Sequence, residues 1–153
     1  MPFDTTNFLN SLAVNLAAEL TIEYAGTPRA LWILVADDKA AADPATALIP
    51  YGGMPTAWDP LPPRSVQVRT VGTSAVAAMV RAEAIYAEML EGGRPWQRKV
   101  IDAYALGAAE ADGSWKIVAL ELLQPPGMIG YDEKNRAVVV FNFSVEAVFV
   151  AEG

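Results

Sequence analysis

Ala137-Val138-Val139-Val140-Phe141-Asn142-Phe143-Ser144-Val145-Glu146-Ala147-Val148-Phe149-Val150 is the stretch on which the fold turns. Val139, Phe141, Phe143, Val145, Ala147 and Phe149 recur at every second position, with Asn142, Ser144 and Glu146 between them. A strand sends successive side chains to opposite faces, so this pattern predicts one long strand with a buried odd face and a wetter even face. Asp132-Glu133-Lys134-Asn135-Arg136, just before it, reads as a turn. Further upstream, Trp115–Leu123 reads as a strand, and Pro125-Pro126-Gly127 as its interruption. Asp112-Gly113 is a hairpin-turn signal, because both residues tolerate positive φ. It predicts antiparallel pairing of Val100–Leu106 with Trp115–Leu123, with Ala137–Val150 in the same sheet.

Ahead of this β-rich third the periodicity changes. Phe8, Leu9, Leu12, Leu16 and Leu20 recur at spacings of three and four, which predicts a helix over 4–20 capped by Asp4, Thr5 or Thr6. Asn10, Asn15 and Glu19 fall off its apolar face. Leu31-Trp32-Ile33-Leu34-Val35 suits a buried strand ended by Asp37-Asp38-Lys39, and Thr46–Ile49 a second short one. Residues 44–63 hold six of the eleven prolines, so this stretch reads as a long ordered loop, neither helix nor central strand. Ser65–Val71 alternates as a strand. A helix over 75–91 follows, capped by Thr73 or Ser74. Its expected buried face is Val76, Met79, Val80, Ile85, Tyr86, Met89 and Leu90, with Arg81, Glu83, Glu88 and Glu91 outward and Gly92-Gly93 as its stop. The order α–β–(β)–loop–β–α–β–β–β is not βαβα alternation. The fold class is α+β: a mainly antiparallel or mixed sheet packed against two helices, with a long Pro-rich loop.

At 153 residues, 53% apolar and 19% charged, the chain is expected to form one packed domain. No apolar run reaches the roughly 18 residues that span a bilayer, and Met1-Pro2-Phe3-Asp4 lacks the basic start of a signal peptide. Both point to a protein made in a cytoplasm, without a membrane partner. There are no cysteines and no histidines, which removes disulfides, thiolate nucleophiles, Ser-His and Cys-His pairs and imidazole metal sites. With 11 Lys plus Arg against 18 Asp plus Glu, the net charge is −7. Such a surface repels DNA rather than binding it. The most basic run, Arg94-Pro95-Trp96-Gln97-Arg98-Lys99, reads as a solvated loop entering a strand.

The remaining chemical motifs are weak. Gly52-Gly53, Gly92-Gly93 and Gly127/Gly130 lack the Lys-Ser/Thr and the strand–helix order of a phosphate cradle. Ser74, in Gly72-Thr73-Ser74-Ala75-Val76, resembles a nucleophile elbow only until Val76 and has no histidine base, so it reads as a helix cap. Asp37-Asp38 and Asp132-Glu133 suit local turn hydrogen bonds better than an oxygen-only cation site. The expectation is therefore no enzyme, no catalytic residue, no cofactor and no metal. Trp32 and Trp115 read as core. Trp58 and Trp96, in proline-flanked loops, are candidate interface anchors.

Several segments together resemble a phage minor capsid/tail terminator family of long-tailed phages, similar to the lambda tail terminator. They are the N-terminal amphipathic helix, Pro62-Pro63-Arg64-Ser65-Val66-Gln67-Val68-Arg69, the helix core Ala82-x-x-Ile85-Tyr86-x-x-Met89-Leu90, and Pro125-Pro126-Gly127-Met128-Ile129-Gly130-Tyr131-Asp132-Glu133-Lys134-Asn135-Arg136 leading to Phe141-Asn142-Phe143. The resemblance implies a structural virion protein forming a homo-oligomeric, hexameric ring at the head-proximal end of the tail tube. It would be assembled in the host cytoplasm, stop tube polymerisation and join the tail to a neck or head-completion protein, with DNA passing through unread. A head–tail connector or tail-completion protein and a small-molecule-binding α+β domain are the competing readings. Under the favoured one, loop 37–63 and Arg94–Lys99 carry the subunit or neck contacts, with Asp37, Asp38, Trp58, Arg64, Arg94, Trp96 and Arg98 as candidate interface residues.

Overall fold

The computed structural model describes residues 4–50 and 64–151. Helix α1 (Thr5–Leu20) starts at Asp4, whose carboxylate accepts from the Asn7 N–H at 3.0 Å, and stops at Thr21 in the left-handed region. Strands β1 (Arg29–Ile33), β2 (Ala41–Pro50) and β3 (Arg64–Gly72) precede helix α2 (Ala75–Glu88). Then come the short hairpin β4 (Leu90–Glu91) and β5 (Arg94–Pro95), followed by β6 (Gln97–Ala103), β7 (Gly113–Tyr131) and β8 (Ala137–Ala151). Six strands form one curled sheet in the order β1-β2-β3-β8-β7-β6. Only β1 and β2 run parallel; every other pair is antiparallel. This is the α+β architecture expected from the sequence, with β6, β7 and β8 in one sheet and antiparallel as predicted.

β8 sits at the centre of that sheet because its alternation satisfies both neighbours. Val139, Phe141, Phe143, Val145 and Ala147 are buried on the helix side. Val66 pairs with Phe143 and Val68 with Phe141, so the β3 residues extend the same apolar face. Trp115 stands edge-on to Phe8 at 5.3 Å and to Phe149 at 5.6 Å, joining α1, β7 and β8. A smaller cluster of Trp32, Ala45 and Ala47 lies on the opposite face.

Several local expectations are corrected. β2 begins at Ala41, so Pro44 and Pro50 lie in an interior strand rather than a loop. Proline is accommodated at 44 because the ladder opens there. Arg29 pairs with Ala41 but Leu31 with Thr46, and pairing with β3 begins only at Ala45. Residues 51–63, including Trp58, lie outside the described residues. β7 likewise runs through Pro125-Pro126, where the register slips from Gln124↔Asn142 to Gly127↔Val140. β6 begins three residues earlier than expected and ends at Ala103, so a longer connection spans 104–112. Asp112-Gly113 is not its two-residue turn. Gly113 is instead a strand residue against which another chain segment packs: a Cβ there would stand 2.4 Å from the Val150 carbonyl oxygen.

Helix α2 also turns differently from its hydropathy. Ala78, Ala82 and Ile85 face inward, while Val76 is 74% and Val80 60% exposed. Small side chains let the helix approach Val139 closely, with Tyr86 edge-on to Phe141 at 5.3 Å. Arg81 is half-buried rather than outward. Its Nη1 is buried without a hydrogen-bond partner among the described residues, and burial holds its pKa below the ordinary guanidinium value. The helix ends at Met89, and Gly92-Gly93, at φ 61° and 79°, forms the β4–β5 turn rather than the helix stop.

Candidate interaction surfaces

A strand at the end of a sheet exposes unpaired backbone groups, and soluble proteins cover them. Here α1 reaches both ends of the curled sheet, packing on β1 and on β6. One row of the helix carries Asn7, Asn10, Ser11 and Asn15, spaced so that they share a face. The Asn10 Nδ2 donates to the carbonyls of Tyr104 (2.9 Å) and Ala105 (3.2 Å), just past β6. The Ser11 Oγ accepts from the Tyr104 N–H at 2.8 Å, and the Asn15 Nδ2 donates to the Asp102 carbonyl at 3.1 Å. On the other side, the Tyr24 hydroxyl donates to the Asn10 Oδ1 at 2.7 Å. Asn10 is 3% exposed, so a single buried amide ties the segment before β1 to the segment after β6. β1 has further support, since the N–H groups of Ala30 and Leu31 both donate to the Glu23 carbonyl at 2.9 Å. Arg29 lies between the rings of Tyr24 (4.7 Å) and Trp32 (4.6 Å).

The β7–β8 turn is held by charge. The Asp132 carboxylate accepts from the backbone N–H groups of Lys134 (3.0 Å) and Arg136 (2.8 Å) and from the Arg136 side chain. Across the molecule, Asp38 accepts from Lys134 (2.7 Å) and Arg136 (3.2 Å), docking the β1–β2 connection on this turn. Nearby, the Asp43 carboxylate accepts from the Thr73 N–H at 3.0 Å and from its hydroxyl. These bonds favour the ionised carboxyls and hold all three below their ordinary range. For Asp38 the main cause is Lys134, for Asp132 the Arg136 backbone N–H, and for Asp43 the Thr73 hydroxyl.

One strand edge has no hydrogen-bonded strand among the described residues. Pairing between β6 and β7 ends at Gln97↔Ala119, and the Leu120 N–H donates to the Trp96 carbonyl at 3.1 Å. From Glu121 to Tyr131, β8 is the only strand among the described residues that is hydrogen-bonded to β7, with the short β5 packed nearby. Leu123, Met128, Ile129 and Tyr131 are exposed along this stretch. At its start is a cleft of about 410 Å³ lined by Pro95, Gln97, Leu120, Glu121, Ser144 and Glu146, among others.

The expected interface residues are scattered by this geometry. Asp38 is committed to the ion-pair network, and Asp37 accepts from the Lys39 N–H in its own turn. Arg94 and Arg98 are exposed, Arg98 with φ 56°. Arg64 opens β3 opposite Val145. Trp96 is 4% exposed in the chain's own core, so it is a packing residue and not an anchor displayed to a partner. Ser74 caps α2 by accepting from the Ala77 N–H at 3.2 Å. Among the described residues, no three Asp or Glu side chains gather in one place. The same residues include no helix long and apolar enough to cross a membrane. The polar row on α1 and the Glu121–Glu146 cleft were missed from sequence. The first had a signal in the helical spacing of Asn7, Asn10, Ser11 and Asn15. The second depends on where β6 stops. No protein-family model matches the chain, and no curated protein matches it.

Proposed function

We propose that this chain is a structural assembly protein of a long-tailed phage or prophage: a tail terminator that caps the head-proximal end of the tail tube and joins it to the neck. The observation that supports the reading most is the unit formed by its most specific resemblance. Gly130-Tyr131-Asp132-Glu133 through Arg136 and on to Phe141-Asn142-Phe143 is one hairpin end, with Asp132 and Arg136 holding its turn. The residues that carry the resemblance are thus those that set the geometry of the two longest strands. The exposed apolar residues along β7 suit a protein whose work is contact with neighbours. In this reading, copies of the chain form a closed ring, with the tail tube protein on one face and a neck protein on the other.

Native mass spectrometry and negative-stain microscopy of the purified chain test it directly. A discrete hexameric ring, and restoration of normal tail length when the chain complements a terminator-deficient phage, are the expected results. A chain that stays monomeric at high concentration and leaves tail length unregulated would refute the proposal.

A further inference from the structure

We propose that copies of this chain bind head-to-tail, with the outward face of α2 in one copy lying on the outer sheet face of β6, β7 and β8 in the next. The inference goes beyond the terminator reading, because the two surfaces it names meet whatever assembly they serve. Its first support is α2 itself. Ala78, Ala82 and Ile85 face the chain's own core. On the far side, Val76, Val80, Glu83 and Ala87 follow one another at spacings of four, three and four, which aligns them in one row. All four are exposed, and Glu83 is the only charge among them. A helix that is apolar on both sides is ordinarily buried on both, so this row marks a contact surface.

The second support is the back of the sheet. Ile101, Trp115, Ile117 and Ala147 are buried on the helix side. Strand alternation therefore sends Val100, Lys116, Val118, Val148 and Val150 to the other side. Val100 stands opposite Lys116, and Lys116 opposite Val148, so the patch crosses three strands. Val100 is 56%, Val118 39% and Val150 52% exposed. Three strands about 4.8 Å apart present a strip about 10 Å wide, the width of one helix.

Charge names the occupant. Lys116 stands at the centre of the sheet patch and Glu83 within the α2 row, and neither makes an ion pair among the described residues. Each face is thus apolar with one free charge, and the two charges are opposite in sign. The faces cannot meet within one chain, because α2 packs against Val139 and Phe141 on the reverse side of the sheet. They meet between copies. Two different surfaces join, so the contact is heterologous, and successive copies close into a ring or extend as a filament.

The chain has no cysteine, so single cysteines introduced by substitution report the contact cleanly. Val80→Cys is mixed with Val118→Cys or with Val150→Cys, which lie toward opposite ends of the sheet patch, and oxidised. At least one mixture should give a disulfide-linked dimer. Val80→Cys alone should not, nor should its mixture with Val35→Cys, an exposed control beyond β1. Sedimentation of the cysteine-free chain should show self-association that Glu83→Lys or Lys116→Glu weakens about three- to tenfold, and mixing those two charge variants should restore it. A monomeric unsubstituted chain, cross-linking of Val80→Cys with itself, no cross-link in either mixture, or association indifferent to both charge variants would overturn the proposal. Normal rings and regulated tail length in both charge variants would overturn this contact while leaving the terminator reading standing.

Discussion

Replacing Asn10 with alanine removes a side chain whose hydrogen bonds join both ends of the curled sheet. Three hydrogen bonds go with it: two from Nδ2 to the Tyr104 and Ala105 carbonyls, and one from the Tyr24 hydroxyl to Oδ1. A net intramolecular hydrogen bond contributes about 1 kcal/mol, and a buried group left unpaired costs about 1–3 kcal/mol. Alanine recovers roughly 0.5 kcal/mol through its better helix propensity. The expected loss is therefore about 2–4 kcal/mol, equivalent to a fall in Tm of roughly 5–12 °C for a chain of this size. Urea unfolding followed by tryptophan fluorescence should show a lower midpoint with an unchanged m-value. A double-mutant cycle with Tyr24→Phe should give a coupling energy of about 0.5–1.5 kcal/mol. A loss below about 0.5 kcal/mol for Asn10→Ala, the level of an ordinary surface change, would refute the idea that this amide closes the sheet.

Other expectations follow from the same packing. Trp96→Ala should destabilise by about 3–5 kcal/mol in chemical denaturation, because it empties a core position; a folded variant of normal stability would return Trp96 to the surface. Ala82→Leu should cost about 1–3 kcal/mol in the same assay, whereas Val80→Ser should stay within about 0.5 kcal/mol, the reverse of what hydropathy alone suggests. Gly113→Ala should lower Tm by several degrees, since its Cβ would collide with the Val150 carbonyl. Asp38, Asp43 and Asp132 have depressed pKa values in the fold, so the stability they confer is complete above the unfolded value of about 4. It is lost as pH falls through the depressed values, and Arg136→Met should flatten Tm against pH between about 2 and 5.

The fold was legible where a strand or helix has one polar and one apolar face. β8 announced itself through its odd positions, and Asp4 and Ser74 marked the helix starts as capping residues do. Prolines misled, because a proline in an interior strand is tolerated wherever the ladder opens. That depends on partners such as Arg29 and Ala41, which are distant in sequence. α2 misled for the opposite reason: its alanines pack closest, so Val76 and Val80 were left at the surface while Ile85 stays inside. The candidate surfaces were less legible than the fold. Trp96 sits in a proline-flanked basic run that reads as a loop, yet it fills the core. Glu121 and Glu146 become neighbours only through a register that no local pattern specifies.

Closure of the sheet by α1 also constrains how the chain acquires its shape. The helix leaves the ribosome some 90 residues ahead of the segment it must grip, as the 93- to 95-residue separations of its bonds to Tyr104 and Ala105 require. At about 5–20 residues per second, that is a delay of roughly 5–20 s. During it the apolar row of Phe8, Leu9, Leu12 and Leu16 has no final partner on the β6 side. The nascent helix is thus the part of this molecule most exposed to capture by chaperones or by neighbouring chains. Early contacts with β1, β2 and α2 give it native shelter until β6 emerges.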